Sequence, residues 1–140
     1  LADFARRWQH DPLVMDKWFT VQALSSSDQV LDEVVRLMKH DAFSLRNPNK
    51  VRALIGAFAH ANPAGFHRAD GRGYRFVADQ VLELDQINPQ VAARMATSFT
   101  RWRRFDEQRQ AMMKRELERI SGSAKLSEDV HEIVSKSLNG

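Results

Sequence analysis

The sequence contains no cysteine among its 140 residues. This absence excludes disulfides, zinc sites built from thiolates and cysteine nucleophiles, and it favours a reducing compartment such as the cytoplasm. No apolar run approaches the roughly 20 residues that a membrane-spanning helix requires. We therefore expect neither a transmembrane segment nor a membrane partner.

Turn-forming and strand-forming patterns are also scarce. The chain has 4 prolines and 6 glycines, and Val, Ile and Thr never cluster into alternating runs. Ala, Leu, Arg, Gln, Glu and Met are abundant, which is typical of helical proteins. The net charge of +3, from 21 basic and 18 acidic side chains, is too small to indicate nucleic-acid binding by itself.

Three Asn-Pro pairs predict three helix starts. Asn accepts the unpaired N–H groups of a first helical turn, and Pro suits the first helical position because it has no N–H to lose. The pairs are Asn47-Pro48, Asn62-Pro63 and Asn88-Pro89. They predict a helix over 48–61, a single turn over 63–66 and a helix from Pro89 to about Arg104.

Other capping residues predict further helices. These residues are Asp11, Ser27 or Asp28, Asp106 and Ser127, and Gly122 is predicted to end a helix. About seven or eight antiparallel helices of roughly 10–17 residues favour an all-α fold, stacked as an αα superhelix or a helical-repeat-like bundle. We predict a single domain over 1–140. Because the chain opens at Leu1 in a helical pattern that ends at His10, without Met or a signal peptide, we expect a fragment of a longer protein.

No pattern for catalysis or metal binding is present. An HExxH zinc motif needs two imidazoles one helical turn apart, and the nearest approach is His131-Glu132-Ile133-Val134-Ser135, where Ser replaces the second His. The GxSxG, P-loop and GxGxxG patterns are missing. We predict no catalytic residue, no metal ligand and no cofactor in this chain.

The run Arg101-Trp102-Arg103-Arg104 has two interpretations. The arginines could bind phosphates while the indole stacks on a base. The favoured interpretation places Trp102 in the core and the arginines in a last helical turn, where cations interact well with the helix dipole. A nucleic-acid partner is therefore not expected.

Two arginines are candidates for binding an anion. A polar stripe on the helix after Pro89 opposes its apolar side and contains Gln90, Arg94, Thr97, Ser98 and Arg101. Arg52, on the helix after Asn47, is flanked by the small residues Gly56 and Ala59. Both Arg52 and Arg94 are predicted to lie early in their helices, where the dipole disfavours a cation, which suggests an anionic ligand. A solvated outer face remains the alternative.

Several blocks of sequence resemble one known domain. They are NPNKVRALIGAFAHANPAGFHRADGRGY (47–74), NPQVAARM (88–95), RRFDEQRQAMM (103–113) and LSEDVHEIVSKSL (126–138). Together they resemble the C-terminal helical domain of bacterial aminopeptidase N, a zinc-dependent alanyl aminopeptidase of the gluzincin class. The resemblance spans essentially the whole chain and is weaker over the first forty residues.

This resemblance implies a non-catalytic domain. The family's zinc helix (HExxH with a downstream Glu) and its GxMEN loop lie in a separate catalytic domain, where a zinc-activated water removes neutral or basic N-terminal residues with Glu as general base. The helical domain closes over that catalytic domain and gates peptide access. Arg52, Gln90 and Arg94 correspond by resemblance to residues facing the enclosed chamber, where they could bind the C-terminal carboxylate of a peptide.

The expected partners are therefore the catalytic and other domains of the same polypeptide and its peptide substrates. Two alternatives remain open, a free-standing helical scaffold for protein interactions and a helical module that binds nucleic acid. A large exposed apolar groove would favour the scaffold, and a salt-dependent shift with single-stranded oligonucleotides would favour the nucleic-acid module.

Overall fold

A computed structural model describes residues 11–139 of the chain, and all the regular secondary structure in this range is helical. The described residues divide into two units, one ending at Gly65 and one beginning at Phe66. The all-α prediction is confirmed. The predicted helix that ends at His10 lies outside the described residues.

The N-terminal unit is built around its first helix. α1 (Pro12–Ala23) packs against α2 (Val30–Leu37) and against a continuous helical run made of α3 (Pro48–Val51), a π-helical segment (Arg52–Gly56) and α4 (Ala57–Ala61). A single turn, α5 (Pro63–Phe66), follows. Phe19, Val34, Leu54 and Phe58 have no exposed surface and form the centre of this core.

Buried polar contacts tie the elements of this unit together. Lys50 is 5% exposed, and its Nζ donates to the Pro12 carbonyl at 2.9 Å and to Asp16 Oδ1 at 2.6 Å. Asn62 Nδ2 donates to the carbonyls of Ala23, the last residue of α1, and Ser25, in the loop that follows. Because a buried polar group is costly unless it is paired, these bonds fix where the helices meet.

The C-terminal unit contains four longer elements. They are α6 (Arg72–Asp85), α7 (Pro89–Ala96), α8 (Glu107–Ser121) and α9 (Glu128–Asn139), with 3₁₀ turns at Thr97–Phe99 and Trp102–Arg104 between α7 and α8. α6 packs against α7 and α8, and α9 packs against the same two helices. Tyr74, Phe99 and Met113 are fully buried in this core.

Most of the predicted caps are confirmed. The side chains of Asp11, Asn47, Asn88 and Asp106 each accept at least one N–H of the first helical turn. Ser127 Oγ accepts the Val130 N–H at 3.2 Å and so caps α9. Gly122 follows the last residue of α8, as predicted, although its φ of −80° is right-handed.

The cap predicted for α2 is wrong. α2 begins at Val30, and its N-cap residue is Gln29, whose side chain makes no capping hydrogen bond. Ser27 Oγ instead accepts the Gln29 N–H within the loop. A hydroxyl that accepts the N–H two residues ahead stabilises a turn, so the helix begins after that turn.

The helix predicted from Pro89 to about Arg104 is also wrong, because α7 ends at Ala96. Thr97, Ser98 and Thr100 each donate their hydroxyl to the carbonyl three residues earlier, at 2.6, 2.7 and 2.9 Å. Such bonds compete with the backbone ladder of a helix. The chain passes through two 3₁₀ turns instead.

No helix within residues 11–139 has both the length and the apolar character needed to cross a bilayer.

Candidate functional site

Arg52 lies at the first position of the π-helical segment in the N-terminal unit. Its side chain is exposed, and its Nη2 donates to the neutral amide oxygen of Asn49 at 2.5 Å. The hydroxyl of Thr20 on α1 donates to the Ala53 carbonyl at 2.9 Å, inside the π turn. π turns are rare and often lie at functional sites, so the backbone that carries Arg52 is specialised.

The small-residue face predicted beside Arg52 is not present. Gly56 is buried and Ala59 is only 6% exposed, whereas Arg52 faces solvent. A π turn contains more residues than an α turn, so residues four and seven positions ahead do not stay on one face. The small residues serve the core of this unit.

Gln90 and Arg94 lie one turn apart on α7 in the C-terminal unit, and both side chains are exposed. Within residues 11–139 neither side chain has a hydrogen bond or an ion pair. Arg94 is in the last turn of α7, not early in its helix as predicted, because α7 ends at Ala96. The helix dipole therefore favours a cation at Arg94, so its position in the helix does not indicate an anionic ligand.

The segment that follows α7, residues 100–104, forms one wall of a basic groove. Its volume is about 450 Å³, and it is lined by Thr100, Arg101, Arg103, Arg104, Ile133, Lys136 and Ser137. Arg103 Nη1 and Nη2 donate to the last carbonyls of α9, at Ser137 (2.8 Å) and Leu138 (2.5 Å). An arginine predicted to end its own helix thus caps another, where a cation is equally favourable.

Trp102 is a core residue, as predicted. It is 6% exposed, and its indole N–H donates to the Ser137 carbonyl at 2.9 Å. The Arg103 guanidinium lies 4.4 Å from the centre of the indole ring. Because one guanidinium already covers the ring, the indole cannot stack on a nucleic-acid base without breaking this contact.

Sequence reasoning missed a polar pair between Tyr74, which is fully buried on α6, and the half-buried His67. The Tyr74 hydroxyl lies 2.7 Å from His67 Nδ1, and the His67 ring stacks on Phe105 with centroids 4.2 Å apart. Burial raises the pKa of the Tyr74 phenol to about 12. Burial, together with the nearby charge of Arg109, lowers the pKa of His67. These groups stay neutral at pH 7 and stabilise the fold.

Sequence reasoning also missed Asp85, a buried carboxylate at the end of α6. It accepts the Ser127 N–H at 2.8 Å and the Ser127 hydroxyl at 2.5 Å. Ser127 in turn caps α9, so the pair links the end of one helix to the start of another. Nothing in the local sequence pattern around Asp85 indicates this contact, because Ser127 is 42 residues away.

No metal centre is assembled within residues 11–139. No group of three or more His, Asp or Glu side chains there could hold an ion. His131 Nε2 lies 3.2 Å from the hydroxyl of Ser135, which occupies the place of the second imidazole of a zinc helix. The residues present in this range therefore do not fit a zinc site.

The helical hairpins and turns of the two units are typical of repeat proteins, and comparison with protein families places the chain in that class. The family described as "Domain of unknown function (DUF3458_C) ARM repeats" matches residues 1–139. The chain belongs to this family of helical repeat domains.

Several relatives of this chain are named aminopeptidase N. Aminopeptidase N of Haemophilus influenzae is 50% identical over 138 residues, which are 99% of this chain and 16% of that protein. Aminopeptidase N of Escherichia coli is 43% identical over 138 residues, which again are 99% of this chain and 16% of that protein. The resemblance to the C-terminal helical domain of bacterial aminopeptidase N is thus confirmed.

A solved structure agrees with this result. The crystal structure of Legionella pneumophila aminopeptidase A in complex with aspartic acid superposes with a TM-score of 0.93 at 44% identity, covering 99% of this chain and 16% of that one. The chain therefore spans about one sixth of the length of the relatives it matches, as part of a larger polypeptide.

Proposed function

We propose that this chain is the non-catalytic C-terminal domain of a zinc metallo-aminopeptidase, that it covers the catalytic domain and that it gates the entry of peptides. One observation carries the proposal. Nearly the whole chain is similar to proteins named aminopeptidase N, yet it spans only 16% of their length and assembles no metal site in its described residues. In this proposal the 140 residues act as one domain, and the enzyme works in the cytoplasm.

The zinc ion of such an enzyme belongs to the remainder of the polypeptide. When bound there, zinc supplies an activated water for hydrolysis of the N-terminal peptide bond. In this proposal the residues of this chain bind peptides and exclude large folded substrates. A domain that closes over a reacting centre keeps large folded substrates out and selects peptides that can enter.

We further propose that Arg94 and Gln90 bind the C-terminal carboxylate of a peptide whose N-terminus is held at the zinc, and, as a separate proposal, that Arg52 contacts peptide substrates. Arg94 and Gln90 support this because both are exposed and neither is paired within residues 11–139. The separate proposal for Arg52 is supported by its observed partner, the neutral side chain of Asn49, which leaves its charge uncompensated. Arg suits a carboxylate because its planar fork can donate two parallel hydrogen bonds.

The test uses the full-length aminopeptidase and two substrates. Arg94→Ala should raise KM for a short peptide by about tenfold to a hundredfold, the value of a hydrogen bond to a charged group. It should leave KM for an aminoacyl anilide unchanged, because the anilide has no carboxylate. Lys114→Ala is the matched control, since Lys114 is an exposed cation on α8 and its removal should affect neither substrate. Equal effects of Arg94→Ala on both substrates would reject carboxylate binding.

Gating is tested separately, by deleting this domain from the full-length enzyme. The truncated enzyme should still hydrolyse the anilide, and it should lose its discrimination between a short peptide and a folded protein with a free N-terminus. If discrimination is unchanged while the anilide is hydrolysed normally, the domain does not gate entry. This result is independent of the Arg94 experiment, so the two parts of the proposal can fail separately.

A further inference from the structure

Helix α1 is apolar on two sides. Its inner side packs in the core of the N-terminal unit through Met15, Trp18, Phe19 and Ala23, none of which is more than 8% exposed. Its outer side carries the α1 stripe, which consists of Leu13 (75% exposed), Val21 (65%) and the residue that follows the helix, Leu24 (43%). These positions are 8 and 11 residues after the first, so they follow one face of the helix. A helix with apolar residues on both sides is typical of a position between two packed layers.

The exposed apolar residues are concentrated in this place. Among residues 11–139, the large apolar side chains with high exposure are the three of the α1 stripe and Val35, which is 40% exposed on the adjacent helix α2. Other exposed helical faces are charged, and α8 and α9 present Lys114, Arg115, Glu118, Glu128, Glu132 and Lys136 to solvent. The α1 stripe is therefore unusual for this chain, and a concentration of exposed apolar side chains indicates an interaction site.

The dimensions of the stripe fit a helix as the partner. Eleven residues separate Leu13 from Leu24, which corresponds to about 16 Å, or three turns, along the helix axis. Lys17, midway along the same face, can lay its methylene groups along a partner while its amine reaches water. A mainly aliphatic stripe of this length suits the packing of one helix against another.

The repeat architecture of the family indicates what packs on the α1 stripe. In repeat proteins each repeat buries its apolar face against its neighbours, and a repeat that ends the stack has a polar outer face instead. The chain belongs to a family of ARM repeats and spans only 16% of the length of its relatives. We propose that a helical repeat from the rest of the same polypeptide packs on the α1 stripe. This inference rests on the fold family and on burial, and it is independent of the proposed aminopeptidase function.

The test maps what lies against Val21 in the full-length polypeptide. A photo-reactive benzoylphenylalanine replaces Val21, and the cross-linked peptides are identified by mass spectrometry. The expected product joins Val21 to a helical segment of the same molecule outside these 140 residues. A mixture of isotopically labelled and unlabelled protein separates products within one molecule from products between two. The same group at Glu118, on the exposed face of α8, is the control and should not reach the segment that Val21 reaches.

Each other outcome overturns the proposal. Products between differently labelled molecules would show a second copy on the stripe, and products with residues 1–10 would show that this chain covers its own helix. If the photo-reactive group gives no product at Val21, nor at Leu13 in a second variant, the stripe is open to solvent.

Substitutions give a second, independent readout. Val21→Asp should increase proteolytic cleavage between this domain and the rest of the full-length protein by about tenfold or more, because a buried unpaired carboxylate is costly. Val21→Leu keeps the apolar surface and should leave the cleavage rate unchanged. Equal cleavage of the two variants would contradict the proposed packing.

Discussion

The three Asn-Pro pairs look alike in the sequence, but the structure predicts that their asparagines differ in their contribution to stability. Asn62 is 5% exposed and makes three hydrogen bonds. Its Nδ2 donates to the carbonyls of Ala23 (2.8 Å) and Ser25 (2.9 Å), and its Oδ1 accepts the Gly65 N–H at 3.0 Å. Asn62→Ala removes all three bonds at once and leaves three backbone groups to find new partners.

The size of the effect follows from these contacts. A net contribution of about 0.5–1.5 kcal/mol per hydrogen bond gives a loss of about 2–4 kcal/mol for Asn62→Ala. Asn47 is exposed and only caps its helix, with bonds of 3.0 and 3.4 Å, so its replacement by Ala should cost about 1 kcal/mol. Asn88 makes a single capping bond of 3.4 Å, and its replacement should cost about 0.5 kcal/mol.

Urea denaturation of the three variants, followed by circular dichroism, measures these differences as changes in the free energy of unfolding. Asn62→Asp separates the two roles of the side chain, because it keeps the acceptor for Gly65 and loses both donors. We expect this variant to show most of the loss seen with Ala. If the three Ala variants agree to within about 0.5 kcal/mol, the buried contacts of Asn62 contribute nothing beyond a helix cap, and the reasoning from burial is refuted.

Two further predictions concern the C-terminal unit. His67 has a lowered pKa in the folded state, so the unfolded chain binds more protons, and stability should be complete above about pH 6.5 and fall as the pH decreases below it. Free energies of unfolding measured from pH 7.5 to 5 should show this slope, which is about 1.4 kcal/mol per pH unit at most. The variant His67→Gln should remove the slope. Gly71 has a φ of +77°, and a Cβ there would lie 2.7 Å from Met112 Sδ. In thermal or urea denaturation, Gly71→Ala should cost about 1–2 kcal/mol of stability, whereas Gly71→Asn should cost less because Asn tolerates this backbone conformation. Equal losses would show that the backbone conformation is not the cause.

Local chemistry made the helix starts predictable. Asp11, Asn47, Asn88 and Asp106 cap the helices that follow them because a cap depends on residues within one turn. The end of α7 depends on equally local contacts, since the hydroxyls of the Thr97–Thr100 stretch bond to nearby carbonyls. The apolar periodicity through Phe99 and Trp102 obscured that signal, because both residues are buried whether the backbone is an α-helix or a 3₁₀ turn.

Contacts between distant residues were not predictable from the sequence. The hydroxyl that bonds to the Ala53 carbonyl inside the π-helical segment belongs to Thr20, 33 residues earlier, and the link between Asp85 and Ser127 joins residues 42 apart. The two sides of α1 are both apolar, so periodicity could not indicate which one is buried. The candidate site was limited by a local feature instead, because the sequence identified Arg52, Gln90 and Arg94 but misplaced Arg94 within its helix when the end of α7 was not recognised.

The π-helical segment makes the length of one helix adjustable while its ends stay fixed. A π turn takes one residue more than an α turn, so deletion of one residue between Arg52 and Gly56 would restore a regular α-helix without a large rotation of the residues after it. Phe58 would stay in the core, and Asn62 would still point toward the carbonyls that it binds. The N-terminal unit thus accommodates one surplus residue, and an aligned protein that lacks it should also lack the hydroxyl at position 20.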